Sequence, residues 1–147
     1  MANYIEALNQ GFAAAKEAEI ARKEIREVLD NLKSEIVKAS DGKLLVEVRK
    51  VEEPEEDVSK TVISRYYGAL QPKKYYKAVI ATNPKATKQI DKQLAIWKQS
   101  KEGYPCSLIW GKKEHQCEDR SALEECLAEL LRDPLVGEQL YQLTKMI

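Results

Sequence analysis

The chain has little of what catalytic sites and membrane spans are built from. Its single histidine excludes the zinc sites that need two or three histidine ligands. Its six glycines form neither a G-x-G-x-x-G fingerprint nor a phosphate-binding P-loop. No apolar run approaches the roughly 18–20 residues that span a bilayer. We therefore expect a protein that is not an enzyme, needs no cofactor or metal and does not enter a membrane.

Cysteine is also scarce, with three residues in the chain. The N-terminal sequence lacks the basic segment and following apolar segment of a secretory signal. An odd number of cysteines without such a signal is typical of free thiols in a reducing compartment. We therefore expect a cytoplasmic protein.

The histidine and the cysteines are the residues from which a metal or thiol site could be assembled. The predicted pairing of two strands brings Cys106, His115 and Cys117 to one face, where a zinc site with Cys126 is an alternative. However, the chain has no C-x₂-C pair, and Cys126 lies on an apolar helix stripe, where free cysteine behaves as a small hydrophobe. Buried structural cysteines are therefore the favoured interpretation, with zinc binding or a reactive Cys–His pair as alternatives.

Charge is balanced overall but unevenly distributed. The 24 basic and 24 acidic residues cancel. Residues 60–101 carry ten Lys or Arg against Asp91 alone, whereas residues 1–59 carry 9 against 14 and residues 102–147 carry 5 against 9. Such a one-sided block is evidence about partners rather than about fold.

Two tyrosine pairs lie within this basic block, in SRYYGALQPKKYYKAVI (residues 64–80). Strand alternation leaves one tyrosine of each pair outside the core, beside lysines, which is the composition of a base-stacking surface with phosphate contacts. The predicted surface for nucleic acid or another anionic partner comprises Arg65, Tyr67, Lys73, Lys74, Tyr75, Lys77, Lys85, Lys88 and Lys92. Because nine of the ten positive residues in the block 60–101 are lysine and arginine is preferred for bidentate contacts, an acidic protein partner and a merely solvated face remain alternatives.

The N-terminal third predicts one long helix. Asn3 and Glu6 resemble a capping box, and the helical pattern runs to about Ala39, where Asp41-Gly42 ends it. At 1.5 Å per residue this helix is about 50 Å long, which is too long to lie wholly on a small core. It must therefore project or pair with another helix.

The long helix carries a heptad-like stripe that predicts such pairing. Small residues dominate its first part, which lets another helix approach closely, and bulky residues follow. The predicted oligomer interface comprises Ala7, Gly11, Ala14, Ala18, Ala21, Ile25, Val28 and Leu32. Ile5, Leu8 and Phe12 form a second apolar line. Packing of the helix on its own domain is the alternative, and acidic residues on the polar face disfavour binding to an anionic membrane surface.

The remaining sequence predicts an antiparallel sheet and helices. Strands are expected around residues 44–49, at Thr61–Tyr67 and at Tyr75–Thr82, with an acidic loop at Glu52–Asp57. Asn83-Pro84 predicts the start of a helix that runs up to Gly103, with a strand at Leu94–Lys98 as the alternative.

The C-terminal part predicts a hairpin and two helices. Gly111-Lys112 suits a type II′ turn that pairs Trp110 with Lys113 and Cys106 with Cys117. Ser121 with Glu124 predicts a capping box, and Asp133-Pro134 predicts the end of one helix and the start of another, whose apolar side ends at Ile147.

These patterns together predict an α+β fold with a long N-terminal helix, an antiparallel sheet of about five strands and C-terminal helices packed on the sheet. We expect residues 1–41 to form an oligomerisation element, resembling half of a coiled coil, and residues 42–147 to form a compact domain. The predicted function is that of a non-enzymatic binding protein that forms a homo-oligomer through its helix and presents its basic surface to nucleic acid. The alternative is a small accessory or inhibitor protein, of phage or bacterial type, that binds a protein partner.

Overall fold

A computed structural model of the chain describes residues 1–53 and 74–146. The elements in chain order are α1 (Tyr4–Ala39), β1 (Leu45–Glu52), β2 (Tyr75–Thr82), β3 (Lys92–Ser100), β4 (Gly103–Trp110), β5 (Lys113–Cys117), α2 (Arg120–Arg132) and α3 (Pro134–Thr144). The strands form one antiparallel sheet in the order β1-β2-β3-β4-β5. The predicted α+β architecture is confirmed.

Local hydrogen bonds set both ends of α1, as the sequence predicts. The Asn3 side chain accepts a hydrogen bond from the backbone N–H of Glu6 at 3.1 Å, which satisfies one of the free donors in the first turn. At the other end, the backbone N–H of Gly42 donates to the Val37 carbonyl at 2.9 Å. The chain then turns into β1.

The core lies on one face of the sheet. Residues directly opposite each other in neighbouring antiparallel strands share a face. The buried pairs on this face are Val46–Ala81, Val79–Ala95, Trp97–Leu108 and Cys106–Cys117. They form one apolar cluster with Ile25 and Val28 of α1, Leu123 and Leu127 of α2, and Val136 and Leu143 of α3. All three helices therefore contribute to the core on the same side of the sheet.

The β4–β5 hairpin has the predicted register but a different turn. Trp110 pairs with Lys113, and Cys106 pairs with Cys117. The predicted type II′ turn is wrong, because Gly111 (φ +59°) and Lys112 (φ +65°) both have positive φ, as in a type I′ turn. The register is unchanged because both turn types have two-residue loops.

The helix predicted from Asn83-Pro84 to Gly103 is wrong, and the alternative strand is correct. Residues 92–100 form β3, which pairs with β2 on one side and β4 on the other. Leu94, Ala95 and Trp97 are buried there. Hydrogen bonding and burial at the middle of the sheet outweigh the local helical spacing of the apolar residues.

The two C-terminal helices share a residue between them. Asp133 ends α2, and its side chain accepts hydrogen bonds from the backbone N–H groups of Leu135 and Val136 at the start of α3, as predicted. The predicted cap of α2 at Ser121 is wrong, because Asp119 accepts from the backbone N–H of Ala122 at 2.8 Å. The helix therefore begins two residues before the predicted position.

Some predictions fall outside the residues that the structure describes. These are the strand Thr61–Tyr67, the part of the acidic loop beyond Glu53, and Ile147. Within residues 1–53 and 74–146, none of the helices combines the length and apolarity that crossing a bilayer requires.

Candidate interaction surfaces

The predicted oligomer interface is divided by the fold. Ile25 and Val28 are buried in the core of the same chain, and Leu32 packs against that core. Ala7, Gly11 and Ala14 are exposed. The alternative of packing on the chain's own domain therefore describes the second half of α1, while no other part of the chain that the structure describes covers the first half.

We call the uncovered first half, residues 4–18, the arm; it is about 22 Å of helix. Its large apolar side chains are between 57% and 80% exposed, and they are Tyr4, Ile5, Leu8 and Phe12. Glu6 is the one charged side chain before Lys16. The arm therefore presents an apolar, nearly uncharged surface, of the kind that marks an interaction site.

Contacts between α1 and the β3–β4 turn define where the arm ends. The Arg22 guanidinium donates to the Lys101 carbonyl at 2.7 Å, and the Tyr104 hydroxyl donates to Glu24 at 2.8 Å. Burial of the Tyr104 hydroxyl and this bond to Glu24 raise the pKa of Tyr104, which keeps the donor protonated. Because these contacts start at Ala21, which lies against Gly103, the helix is anchored from there onwards.

Part of the predicted basic surface is present at one end of β2. Lys50 lies directly opposite Lys77, and Glu52 lies opposite Tyr75, so these four side chains share a face. Tyr75 is 47% exposed, and the Lys50 ammonium lies 4.6 Å from the centre of its ring. We call Lys50, Tyr75 and Lys77 the Tyr75 patch. Lys74 directly precedes Tyr75 and lies opposite Glu53, so alternation places it on the other side of the strand pair. Lys50 was absent from the predicted surface; it lies two residues after Val48, so alternation along the strand assigns it to the apolar face.

The other predicted basic residues lie elsewhere. Lys92 pairs with Ala81 near the opposite end of β2, about 20 Å from Tyr75 at 3.3 Å per residue. The Lys85 ammonium donates to the Asp41 carbonyl at 2.6 Å. Since residues 83–91 form no helix, Lys85, Lys88 and Lys92 do not lie together on one helix face. Arg65, Tyr67 and Lys73 lie outside the described residues.

The three cysteines form a buried group rather than an open site. All are free thiols, and none is more than 6% exposed. Hydrogen bonding from Cys106 and Cys126 lowers the pKa of Cys117, and bonding to Cys117 together with burial raises the pKa of the other two thiols. His115 stacks on Trp110 with ring centres 3.7 Å apart. Within the described part of the chain, no group of three His, Cys, Asp or Glu side chains is placed to hold a metal ion.

A cavity of about 200 Å³ lies between α1 and β1. Its floor includes Leu29, Val46 and Val79, and Glu47 lies at its rim. Ion pairs from Lys33 (3.1 Å) and Arg49 (2.7 Å) hold the Glu47 carboxylate, and the bond from Arg49 lowers its pKa. The cavity is smaller than the roughly 300–1,000 Å³ usual for ligand sites, and the lowered pKa makes Glu47 a poor general acid.

Comparison with models of protein families, with curated proteins and with solved structures found no significant match. The function must therefore be argued from the exposed surfaces of the chain itself.

Proposed function

We propose that this chain is a non-enzymatic binding protein that associates with a second copy of itself through the arm. One observation carries the proposal. Tyr4, Leu8 and Phe12 are large apolar side chains on a helix that extends beyond its own domain, and each is more than half exposed. Burying them against a second helix would contribute roughly 1.5–3 kcal/mol for each side chain that becomes fully covered.

The backbone of the arm supports the same proposal. An isolated helix of about 12–15 residues is only marginally stable in water, and most helical stability in proteins comes from packing of an apolar face. The arm also contains Gly11, which lowers helix stability by roughly 1 kcal/mol relative to alanine. A partner that covers the apolar face supplies the missing stabilisation. A different protein partner, as in an accessory or inhibitor protein, is the alternative.

The test is the solution mass of the purified chain, measured by light scattering over a range of concentrations. We expect a dimer for the unaltered chain and a monomer for Leu8→Glu, because the substitution places a charge in the apolar contact. Ala14→Glu with Ala18→Glu is expected to act in the same direction. Ile20→Glu is the matched control, since Ile20 is equally apolar and 63% exposed but lies on the other side of α1. A monomeric unaltered chain at all concentrations would exclude self-association.

The Tyr75 patch supports nucleic-acid binding as a second candidate function. Like charges directly opposite each other in a sheet are destabilising, and Lys50 and Lys77 form such a pair beside an exposed tyrosine. A phosphate backbone would relieve this repulsion, and Tyr75 would stack on a base. Glu52 shares the face and limits the positive charge there.

Fluorescence anisotropy with single-stranded and double-stranded DNA and RNA at two salt concentrations tests the second candidate. We expect binding that weakens as salt rises, and a further loss in Lys77→Glu. Lys98→Glu is the control, since Lys98 is exposed and its partner Ser107 places it on the opposite face of the sheet. Equal losses in the two variants would indicate non-specific attraction, and no binding at low salt would exclude this function.

A further inference from the structure

From the side chains along the arm, we infer that two copies pair their arms antiparallel, with Leu8 of one copy opposite Gly11 of the other. This inference rests on the proposed self-association and specifies its geometry. It concerns a different set of contacts from the predicted heptad stripe, most of whose bulky members are buried in the chain's own core.

The inference starts from one face of the arm. Tyr4, Leu8, Gly11, Ala15 and Ala18 recur at spacings of four, three, four and three residues, which places them on one side of a helix pair. The first four are exposed. Along this face the residues change from large to small, since Tyr4 and Leu8 come first and glycine and alanine follow.

Antiparallel pairing matches large residues with small ones. If Leu8 lies opposite Gly11 of the second copy, Tyr4 lies opposite Ala15 of that copy. The two-fold axis of the dimer then generates the same two contacts again with the copies exchanged. Parallel pairing instead places Tyr4 and Leu8 against their own copies and leaves Gly11 against Gly11. Since alternation of large and small side chains across facing positions fills space without voids, the antiparallel arrangement packs better.

The flanks of the face fit the same arrangement. In an antiparallel pair, residues on the same flank of each helix meet. Ile5 and Phe12 lie on one flank, and this register brings Ile5 of one copy within about two residues, or about 3 Å along the axis, of Phe12 of the other. Ala7 and Ala14 lie on the other flank, where their small side chains permit close approach.

Charge and length also favour the antiparallel arrangement. Glu19 follows Ala15 by four residues and therefore lies on the same side, next to the start of the partner's helix. A carboxylate there is attracted to the positive end of the helix dipole. The helices overlap over residues 4–15, which leaves the anchored part of α1, from Ala21, clear of the partner's helix.

Disulfide cross-linking between engineered cysteines tests the orientation. A mixture of Tyr4→Cys and Ala15→Cys chains is expected to form a 4–15 cross-link, while Ala15→Cys alone is expected to form none, because the two Ala15 positions are about 16 Å apart along the axis. The unaltered chain is the control and is expected to form no cross-link, since its three thiols are at most 6% exposed. Solution mass is measured on the same samples before oxidation.

The outcomes separate the orientation from the proposed function. A dimer that cross-links through Ala15→Cys alone, and not between positions 4 and 15, would overturn the antiparallel arrangement and leave self-association intact. A monomer in every sample would overturn both. A dimer that gives the 4–15 product supports both.

A size exchange provides a second measurement. Gly11→Leu fills the space that Leu8 of the partner needs, so we expect it to weaken dimerisation by roughly tenfold or more. A Cβ atom at Gly11 would meet no atom within 4 Å among residues 1–53 and 74–146 of its own chain, so the fold should tolerate the substitution. Leu8→Ala with Gly11→Leu restores one large and one small residue per pair and is expected to recover dimerisation. The pairing of Leu8 with Gly11 would be contradicted if Gly11→Leu alone dimerised normally and the double variant did not dimerise.

Discussion

The contact between Gly103 and α1 determines how closely the β3–β4 turn approaches the helix. Gly103 has φ +95°, and a Cβ atom there would lie 2.8 Å from the Ala21 Cβ and 3.1 Å from the Arg22 nitrogen. We expect Gly103→Ala to lower the free energy of unfolding by roughly 2–5 kcal/mol, since the left-handed backbone costs roughly 1–2 kcal/mol and overpacking roughly 1–3 kcal/mol. Urea unfolding measures the change.

Gly111→Ala is the matched control for this prediction. Gly111 also has positive φ (+59°), but no atom of the residues that the structure describes lies within 4 Å of a Cβ atom there. The backbone cost alone, roughly 1–2 kcal/mol, is therefore expected. Equal losses at the two positions would show that the approach of the turn to α1 is not tight.

The thiols provide a residue-scale test of the alternative thiol chemistry. The lowered pKa of Cys117 favours its thiolate, but Cys117 is only 1% exposed. We therefore expect the thiols of the folded chain to react with an aromatic disulfide reagent no faster than local unfolding exposes them. Once the chain is unfolded, all three thiols should react rapidly. One thiol that reacts at once in the folded chain would instead indicate an accessible nucleophile.

Among the secondary-structure elements, the two ends of α1 and the boundary between α2 and α3 were predicted best. Asn3 and Gly42 bound α1, and Asp133 separates α2 from α3, as their sequences indicate. β3 was predicted wrongly because Ile90, Leu94 and Trp97 also fit a helix, and its assignment depends on pairing with β2 and β4. Such pairing is tertiary and cannot be read from a local window.

Asn83 shows why its neighbourhood is not a helix start. Its side-chain nitrogen donates to the carbonyls of Leu143 (2.7 Å) and Met146 (3.2 Å), and its oxygen accepts from the backbone N–H of Lys85. The side chain thus connects the end of β2 to the end of α3. We expect Asn83→Ala to lower the free energy of unfolding by roughly 1–3 kcal/mol, because the hydrogen bonds of this buried side chain are lost and the Leu143 carbonyl keeps only its backbone donors.

Two further variants isolate the donor. Asn83→Asp retains the acceptor for Lys85 but turns a carboxylate oxygen towards the Leu143 and Met146 carbonyls, so urea unfolding should give a loss at least as large as that of alanine. Asn9→Ala, on the exposed arm, should leave the stability of the domain unchanged. If Asn83→Asp left the free energy of unfolding unchanged, the two hydrogen bonds to α3 would contribute little to stability.

At the scale of the whole molecule, the sequence identified the candidate surfaces but not their extents. The second apolar line of Ile5, Leu8 and Phe12 is visible in the sequence, yet the point where α1 becomes covered depends on Glu24 and Tyr104, which are 80 residues apart. The basic block is likewise visible, but the strand at residues 92–100 separates Lys92 from Tyr75. Both limits arise from long-range contacts.

The stability of the arm should therefore depend on protein concentration, whereas that of the domain should not. Backbone amides of residues 8–18 are held only by helical hydrogen bonds in a single chain and should exchange with solvent rapidly when dilute. At concentrations where the dimer forms, we expect their exchange to slow, while amides near Ile25 and Val28 exchange slowly throughout. Hydrogen exchange followed by mass spectrometry at two concentrations measures both regions.

Leu8→Glu should keep the arm in fast exchange at either concentration, and Ile20→Glu should behave like the unaltered chain. Slow exchange of the arm that does not change with concentration would mean that contacts within one chain stabilise it, and the case for a second copy as its partner would fail.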